Sequence, residues 1–113
     1  MAATYTLEQS GNGRLMFTLR THDGRVLLIS QDFPDKNTAL SRINATRHLV
    51  GMKKHFELRT AENGQPYFVL KNRHKEVIGQ SEVYSDEESL SKGINLIKSN
   101  AKAAKLVDLT GRA

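Results

Sequence analysis

The chain has 113 residues, of which 38% are hydrophobic and 26% are charged, and its formal net charge is +5. The absence of cysteine excludes disulfide bonds, thiolate metal sites and thiol catalysis. No apolar run is long enough to span a membrane, and no apolar segment follows a basic N-terminus as in a signal peptide. We therefore expect no membrane association and take the cytoplasm as the default location.

The first predicted elements are three strands joined by tight turns. Residues 5–9 alternate bulky and polar side chains, which is typical of a half-buried strand. Asn12 and Gly13 then predict a hairpin turn, because both residues tolerate a positive φ. A second strand centred on Phe17 and a third over residues 26–30 complete an antiparallel meander.

A helix is predicted after the third strand. Pro34 has no N–H to donate and stops strand pairing, and the Asp35 carboxylate can cap a helix. Apolar residues between Ala39 and Val50 recur at helical spacing, and Gly51 is suited to end the helix. The sequence thus predicts a helix that lies against one face of the sheet.

The same order of elements recurs with an offset of 51 residues. Ten of the paired positions are identical: Leu7 and Leu58, Asn12 and Asn63, Gly13 and Gly64, Phe17 and Phe68, Leu19 and Leu70, Val26 and Val77, Ser30 and Ser81, Asp35 and Asp86, Ile43 and Ile94, and Asn44 and Asn95. In the second copy Ser85 is predicted to cap the helix, with Glu88 reaching back to it. Such self-similarity indicates a duplicated structural unit.

The C-terminal tail contains a third start of the repeat. Residues 107–109 continue the register of the first strand of each copy, which predicts a short strand near residues 105–110. By the same register, Val107 and Leu109 are expected to point to the core and Asp108 to solvent.

These elements predict a two-layer α+β fold over a single domain, residues 1–113. Two tandem βββα repeats, residues 5–50 and 56–101, form one antiparallel sheet, and both helices lie on one face of it. One repeat alone is marginal in size, so the two copies are expected to bury their apolar faces together. We expect Phe17 and Phe68 to lie beneath the helices.

The second copy resembles the YegP-like family of small, mostly bacterial proteins of unknown function. The residues that carry this resemblance are Phe68, Leu70, Lys71, Val77, Ile78, Ser81, Tyr84, Gly93, Ile94, Asn100 and Ala101. The first copy departs from the pattern, with Phe33 in place of tyrosine and Arg42 in place of glycine. The resemblance implies a single sheet built by two repeats about a pseudo-twofold axis, with the terminal strands exchanged between the halves. Because one chain contains both repeats, we expect a monomer with internal symmetry rather than a homodimer. The resemblance implies no substrate, cofactor or catalytic residue.

The candidate binding residues are basic or polar. The basic candidates for contact with a ligand or nucleic acid are Arg20, Lys53, Lys54, Lys71, Arg73 and Lys75. Asn44 and Asn95 recur in the helices, where asparagine is unfavourable, and are expected to make a polar contact between the repeats or to line a groove. The four histidines lack metal-ligand spacing, and Ser30 and Ser81 lack a nucleophile elbow. We therefore predict no metal, cofactor or catalytic site.

The sequence favours a non-enzymatic binding or interaction module of unknown biochemical role. Its expected binding surface is the sheet face opposite the helices, with Thr18, Arg20, Val69 and Lys71. The alternative is weak nucleic-acid binding through the basic candidates. Against this alternative, much of the net charge follows the helices, where cations offset helix dipoles, and the chain lacks tryptophan and helix-turn-helix spacing. The partner, protein or nucleic acid, is left open.

Overall fold

The computed structural model describes residues 3–110, apart from the side chains of residues 12 and 53. Its helices and strands are β1 (Ala3–Gln9), β2 (Leu15–Thr21), β3 (Val26–Ser30), α1 (Lys36–Leu49), β4 (Phe56–Thr60), β5 (Pro66–Lys71), β6 (Val77–Gln80), α2 (Glu87–Asn100) and β7 (Lys105–Asp108). Within the described part of the chain, neither helix is long and apolar enough to cross a membrane.

The seven strands form one sheet in the order β4-β5-β6-β3-β2-β1-β7. Every pairing is antiparallel except that of β7 with β1, which is parallel, so the sheet is mixed. Side chains from both helices, such as Ile43 and Ile97, share one core with Phe17 and Phe68 from the sheet. The predicted two-layer α+β class is confirmed.

The two outer hairpins pair in registers that differ by 51 residues. Tyr5 pairs with Leu19 in the first hairpin, and Phe56 pairs with Leu70 in the second. The pairing of β2 with β3 shifts in register between Leu19 and Arg20, and the pairing of β5 with β6 shifts between Leu70 and Lys71. The halves meet at the centre, where Ile29 of β3 pairs with Gln80 of β6. Positions related by this offset are called offset-equivalent below.

An aromatic cluster fills the core of each half. Phe17 packs edge-on against Tyr5 and stacked on Phe33, with ring centroids 5.9 and 6.0 Å apart. Phe68 makes the offset-equivalent pair of contacts, edge-on and stacked, at 5.4 and 6.4 Å. Phe17 and Phe68 are fully buried, as predicted. Since a buried phenylalanine contributes several kcal/mol, these two rings anchor the strands to the helices.

Two recurring serines fasten strands within the core. The Ser30 hydroxyl accepts the backbone N–H of Phe17 at 2.8 Å and donates to the carbonyl of Gln31 at 2.8 Å. Ser81 accepts the N–H of Phe68 at 3.0 Å in the same way. Both hydroxyls are committed to backbone groups, which explains their recurrence.

An aspartate caps each helix. The Asp35 carboxylate accepts the N–H of Thr38, and the Asp86 carboxylate accepts the N–H of Ser89, both at 2.8 Å. These hydrogen bonds lower the pKa of both carboxyl groups. The expectation that Ser85 caps α2 is wrong, because Asp86 occupies the cap position that Asp35 holds in the first half.

The side chains of β7 alternate in the opposite sense to the prediction. β7 pairs in parallel with β1, and the partner of Leu7 is Asp108. Because paired residues share a sheet face, Asp108 lies on the helix side and Val107 on the other side. Val107 and Leu109 are exposed, and their predicted position in the core is wrong. The pairing is shifted by one residue from the repeat register, and such a shift moves every side chain of the strand to the opposite face of the sheet.

Candidate functional site

The outer edge of β4 borders an apolar groove on α2. The groove has a volume of about 390 Å³ and is lined by Phe56, Leu58, Leu90, Ser91, Ile94, Asn95 and Lys98. A smaller hollow of about 140 Å³ continues it past Leu58 to Thr60 and Glu87. We call these two hollows together the edge groove. Leu58 is 61% exposed, although its offset-equivalent, Leu7, is fully buried.

Backbone groups of β4 also face the edge groove. The N–H of Phe68 points to Ser81, and Phe68 is the residue that pairs with Leu58. The N–H and C=O of Leu58 therefore point away from β5, since both groups of a strand residue lie on one side of the strand. In the first half the corresponding carbonyl, that of Leu7, accepts the N–H of Leu109 at 2.8 Å. The edge groove thus combines apolar side chains with a strand edge that has no partner strand among the described residues.

A second concave surface, the basic pocket, lies at the other side of β4. Its volume is about 370 Å³, and its lining residues are Lys54, His55, Glu57, Lys71, Asn72, Arg73 and Lys75. It brings together four of the six predicted basic candidates. Arg20 is apart from it, because its guanidinium reaches the carbonyl of Gly24 in the β2–β3 turn. The side chain of Lys53 lies outside the described part of the structure.

Ion pairing reduces the free positive charge of the basic pocket. Lys71 Nζ lies 2.6 Å from Glu57 Oε1, and Arg59 Nε lies 2.7 Å from Glu57 Oε2. The hydrogen bond from Lys71, followed by that from Arg59, lowers the pKa of Glu57. Lys54, Arg73 and Lys75 are exposed at the rim. The pocket could therefore attract an anion, with Lys71 already engaged.

Lys75 holds a backbone conformation that normally favours glycine. Its φ is 65°, and its offset-equivalent, Gly24, has a φ of 89°. The Asn72 side chain organises this turn by accepting the N–H groups of His74 and Glu76 at 2.9 and 3.0 Å. The turn therefore keeps its shape without glycine and presents a lysine at the pocket rim.

The sheet face opposite the helices does not expose its centre as predicted. Thr18 is 4% exposed and Val69 is 1% exposed. Thr18 pairs with Ile29, and Val69 pairs with Gln80, so each short side chain has a larger neighbour on the same face. The prediction that Thr18 and Val69 form a binding surface is wrong.

The two recurrent asparagines lie on exposed positions of the helices. Asn95 lines the edge groove, whereas Asn44 is on α1. Among the described residues, neither side-chain amide hydrogen-bonds to the other half, and their role stays a prediction. Within residues 3–110 no cluster of three or more His, Asp or Glu residues could hold a metal ion.

The sequence did not point to the edge groove. Its lining residues read as core positions, because Leu58 and Ile94 are identical to Leu7 and Ile43 of the first half. The signal that could have identified it is the third start of the repeat. One additional strand can cover only one of two equivalent sheet edges, so the other edge must be left open.

Known proteins resemble this chain along nearly its whole length. A family model described as a domain of unknown function, DUF1508, matches residues 61–108. A UPF0339 protein of Pasteurella multocida is 35% identical over 109 residues, which cover 96% of this chain and 96% of that protein. The UPF0339 protein YegP of Escherichia coli is 30% identical over 110 residues, covering 97% of this chain and 100% of that protein.

Two solved structures share the fold. The solution NMR structure of YegP from Escherichia coli superposes with a TM-score of 0.92 at 30% identity, covering 100% of this chain and 97% of that one. The solution NMR structure of a UPF0339 protein from Shewanella oneidensis gives a TM-score of 0.91 at 30% identity, covering 97% of this chain and 93% of that one. The chain therefore belongs to the UPF0339 family of YegP-like proteins, a family of unknown function.

Proposed function

We propose that the chain is a non-enzymatic interaction module that receives a protein partner in the edge groove. The observation that carries this proposal is the contrast between Leu58, 61% exposed, and the fully buried Leu7 in the same register. An exposed apolar strand edge is a liability that proteins normally cover or block. A partner that covers Leu58 would remove apolar surface from water and pair the free backbone groups of β4.

The local roles of the carboxyl groups support a non-enzymatic function. Those with a lowered pKa cap helices, order turns or join ion pairs; they are Asp23, Asp35, Glu57, Glu76, Asp86 and Asp108. Catalytic acids and bases instead require a pKa matched to proton transfer and a geometry that converges on a substrate. The buried hydroxyls of Ser30 and Ser81 are bonded to backbone as well.

A pair of equally exposed leucines tests the proposal. A photo-crosslinking amino acid is placed at Leu58 or at Leu109, each of which is 61% exposed. Leu58 lies on the edge strand β4, and Leu109 follows β7 at the opposite edge of the sheet. The full chain is expressed in bacterial cells and irradiated, and the captured protein is identified and purified. We expect a specific partner from position 58 and none from position 109.

The affinity of the purified partner for variants of the chain then tests whether the edge groove is the binding site. Leu58→Asp should weaken binding at least about ten-fold, since a charge would enter the apolar contact, and Leu109→Asp should change it less than about two-fold. Equal capture from both positions, or equal affinity of both variants, would overturn the proposal.

Binding of an anionic ligand such as nucleic acid at the basic pocket is a second candidate. It is favoured by the convergence of Lys54, Arg73 and Lys75 at one concave surface. A gel-shift titration at several salt concentrations tests it, because neutralised phosphates give a steep salt dependence. Lys75→Glu should abolish any salt-dependent shift, whereas Arg20→Glu, outside the pocket, is the matched control. A shift that both variants reduce equally would indicate charge attraction without a site.

A further inference from the structure

We propose that the edge groove binds an extended segment of another protein as an eighth strand, parallel to β4, with a lysine or arginine opposite Glu87. This inference rests on the proposed function and specifies the form and chemistry of the partner. The chain itself contains the template for such a complex, because β7 occupies the corresponding place beside β1.

The template defines the geometry of the bound segment. β7 runs parallel to β1, pairing Leu106 with Tyr5 and Asp108 with Leu7. The offset-equivalents of Tyr5 and Leu7 are Phe56 and Leu58, which pair with β5 in the same register as β1 with β2. A segment beside β4 would therefore place one side chain over Phe56 and, two residues later, another beside Leu58.

Charge at the far end of the groove defines the chemistry of the segment. In the first half, Asp108 of β7 lies 2.8 Å from Lys36 Nζ at the start of α1. The offset-equivalent of Lys36 is Glu87, which lines the edge groove together with Leu58. Arg59 also lines this hollow, but its guanidinium is paired with Glu57 at 2.7 Å. A bound segment would therefore meet the Glu87 carboxylate, so a lysine or arginine fits where β7 has an aspartate. The expected motif is an apolar residue, any residue, and then a basic residue.

The same charge argues against a swapped tail as the occupant. A second copy of this chain would bring Asp108 against Glu87, and like charges in contact disfavour the complex. Among the ion pairs of the described residues, Glu87 takes no part, so its carboxylate is available to a partner. The groove therefore selects a foreign strand over the chain's own β7.

Two peptides test this selection. One has the sequence of residues 103–110, and the other carries Asp108→Lys in that sequence. Each is titrated to millimolar concentration into the isotope-labelled full chain, and backbone amide shifts are followed by NMR. We expect the lysine peptide to shift amides of residues 56–60 and 87–98 and to bind about two- to five-fold more tightly.

Three variants and a spin label complete the experiment. Glu87→Lys should reverse the preference between the peptides, Leu58→Asp should weaken both at least about ten-fold, and Leu109→Asp should leave both unchanged. A spin label at the C-terminus of the bound peptide should broaden the amide of Thr60 more than that of Phe56, as a parallel strand requires.

Four results would overturn the inference. They are equal affinity for both peptides, an antiparallel label pattern, amide shifts confined to the basic pocket, and a dimer of the free chain that Leu58→Asp dissociates. If crosslinking at Leu58 captures a partner but no peptide binds in this way, the inference fails and the proposed function stands. If crosslinking at Leu58 captures nothing, the proposed function fails with it.

Discussion

The two edges of the sheet are built from equivalent strands and meet different surroundings. β1 and β4 pair with their neighbours in the same register, and each places a leucine, Leu7 or Leu58, at the same point. β7 covers β1, and Leu7 is buried; β4 has no such neighbour in residues 3–110, and Leu58 is exposed. The burial of a residue in this fold is therefore set by what lies beside its strand, since residue type and register are the same.

Several contacts hold the tail on the first half. Lys36 Nζ lies 2.8 Å from Asp108, and the Arg47 guanidinium donates to the carbonyl of Ala104 at 2.6 Å. The same guanidinium lies 4.7 Å from the centre of the Tyr5 ring. These contacts join the first and last turns of α1 to residues 104–108, which comprise β7 and the residue before it.

The second half differs at the residues that make these contacts. Phe56 lacks the hydroxyl that Tyr5 donates to the carbonyl of Ala101 at 2.9 Å. Glu87 stands at the position equivalent to Lys36 and carries the opposite charge. Lys98 stands at the position equivalent to Arg47 and has a single ammonium group in place of the planar guanidinium. The open edge therefore differs from the covered edge at the positions that would hold a copy of β7.

The largest expected effect separates Leu7 from Leu58. Leu7→Ala should lower the free energy of unfolding by about 2–5 kcal/mol, because it leaves a cavity in a packed core. Leu58→Ala should change it by less than about 0.5 kcal/mol, as at an exposed site. Urea unfolding of both variants measures the difference. Similar losses for the two leucines would show that the edges are equivalent in solution.

Removing the tail should make the two edges alike. Deletion of residues 105–113 uncovers Tyr5 and Leu7, and we expect a loss of about 2–3 kcal/mol in the free energy of unfolding from the exposed apolar area. The shortened chain should also self-associate through β1, which light scattering detects. Adding Leu58→Asp should not prevent this association. If it does, the associating edge is β4.

Most of the fold could be predicted from residue patterns. The turn glycines, the Asp35 cap and the buried phenylalanines all follow from spacing and residue type, and the offset would have identified Asp86 as the second cap. The faces of Val107 and Asp108 could not be predicted in the same way. They depend on the register of a parallel pair, which no turn constrains, because β1 and β7 are the first and last strands of the chain and all the other elements lie between them.

The sites were harder to predict than the fold. Arg20 and Lys71 are offset-equivalent, yet only Lys71 lines the basic pocket, because it pairs with Glu57 on β4 where β1 has Thr6. Leu58 has the sequence signature of a core residue, and only the strand order shows that no strand among residues 3–110 lies beside it. Local pattern predicts the elements, whereas a site depends on which elements become neighbours.

A smaller effect is expected at a glycine that distinguishes the two helices. A Cβ added to Gly93 would overlap the Tyr84 hydroxyl, whereas the offset-equivalent pair is Arg42 with Phe33, which has no hydroxyl. Gly93→Ala should therefore cost about 1–3 kcal/mol, despite the higher helix propensity of alanine. Adding Tyr84→Phe to Gly93→Ala should recover part of the lost stability, as measured by thermal unfolding. No recovery would show that the hydroxyl is not the obstacle.

The smallest expected effect is the pH dependence of stability that Asp108 contributes at the covered edge. Hydrogen bonds from Lys36 and then from Thr110 lower the pKa of Asp108 from 3.8 to about 2. A carboxyl group whose pKa is lower in the folded state stabilises that state above its unfolded pKa, and this contribution is lost as the pH falls. The difference in urea midpoint between the wild type and Asp108→Asn should therefore shrink between about pH 5 and pH 2.

A direct titration of the carboxyl group completes this test. In carbon-detected NMR, Asp108 should titrate near pH 2 in the wild type, and Lys36→Met should raise its pKa because the first of its hydrogen-bond donors is removed. Glu87→Lys, at the offset-equivalent position on the open edge, is the matched control and should leave the titration of Asp108 unchanged. High salt should weaken the effect, since the pair is exposed. An Asp108 that titrates near 3.8 in the wild type would show that the ion pair does not hold β7 in solution.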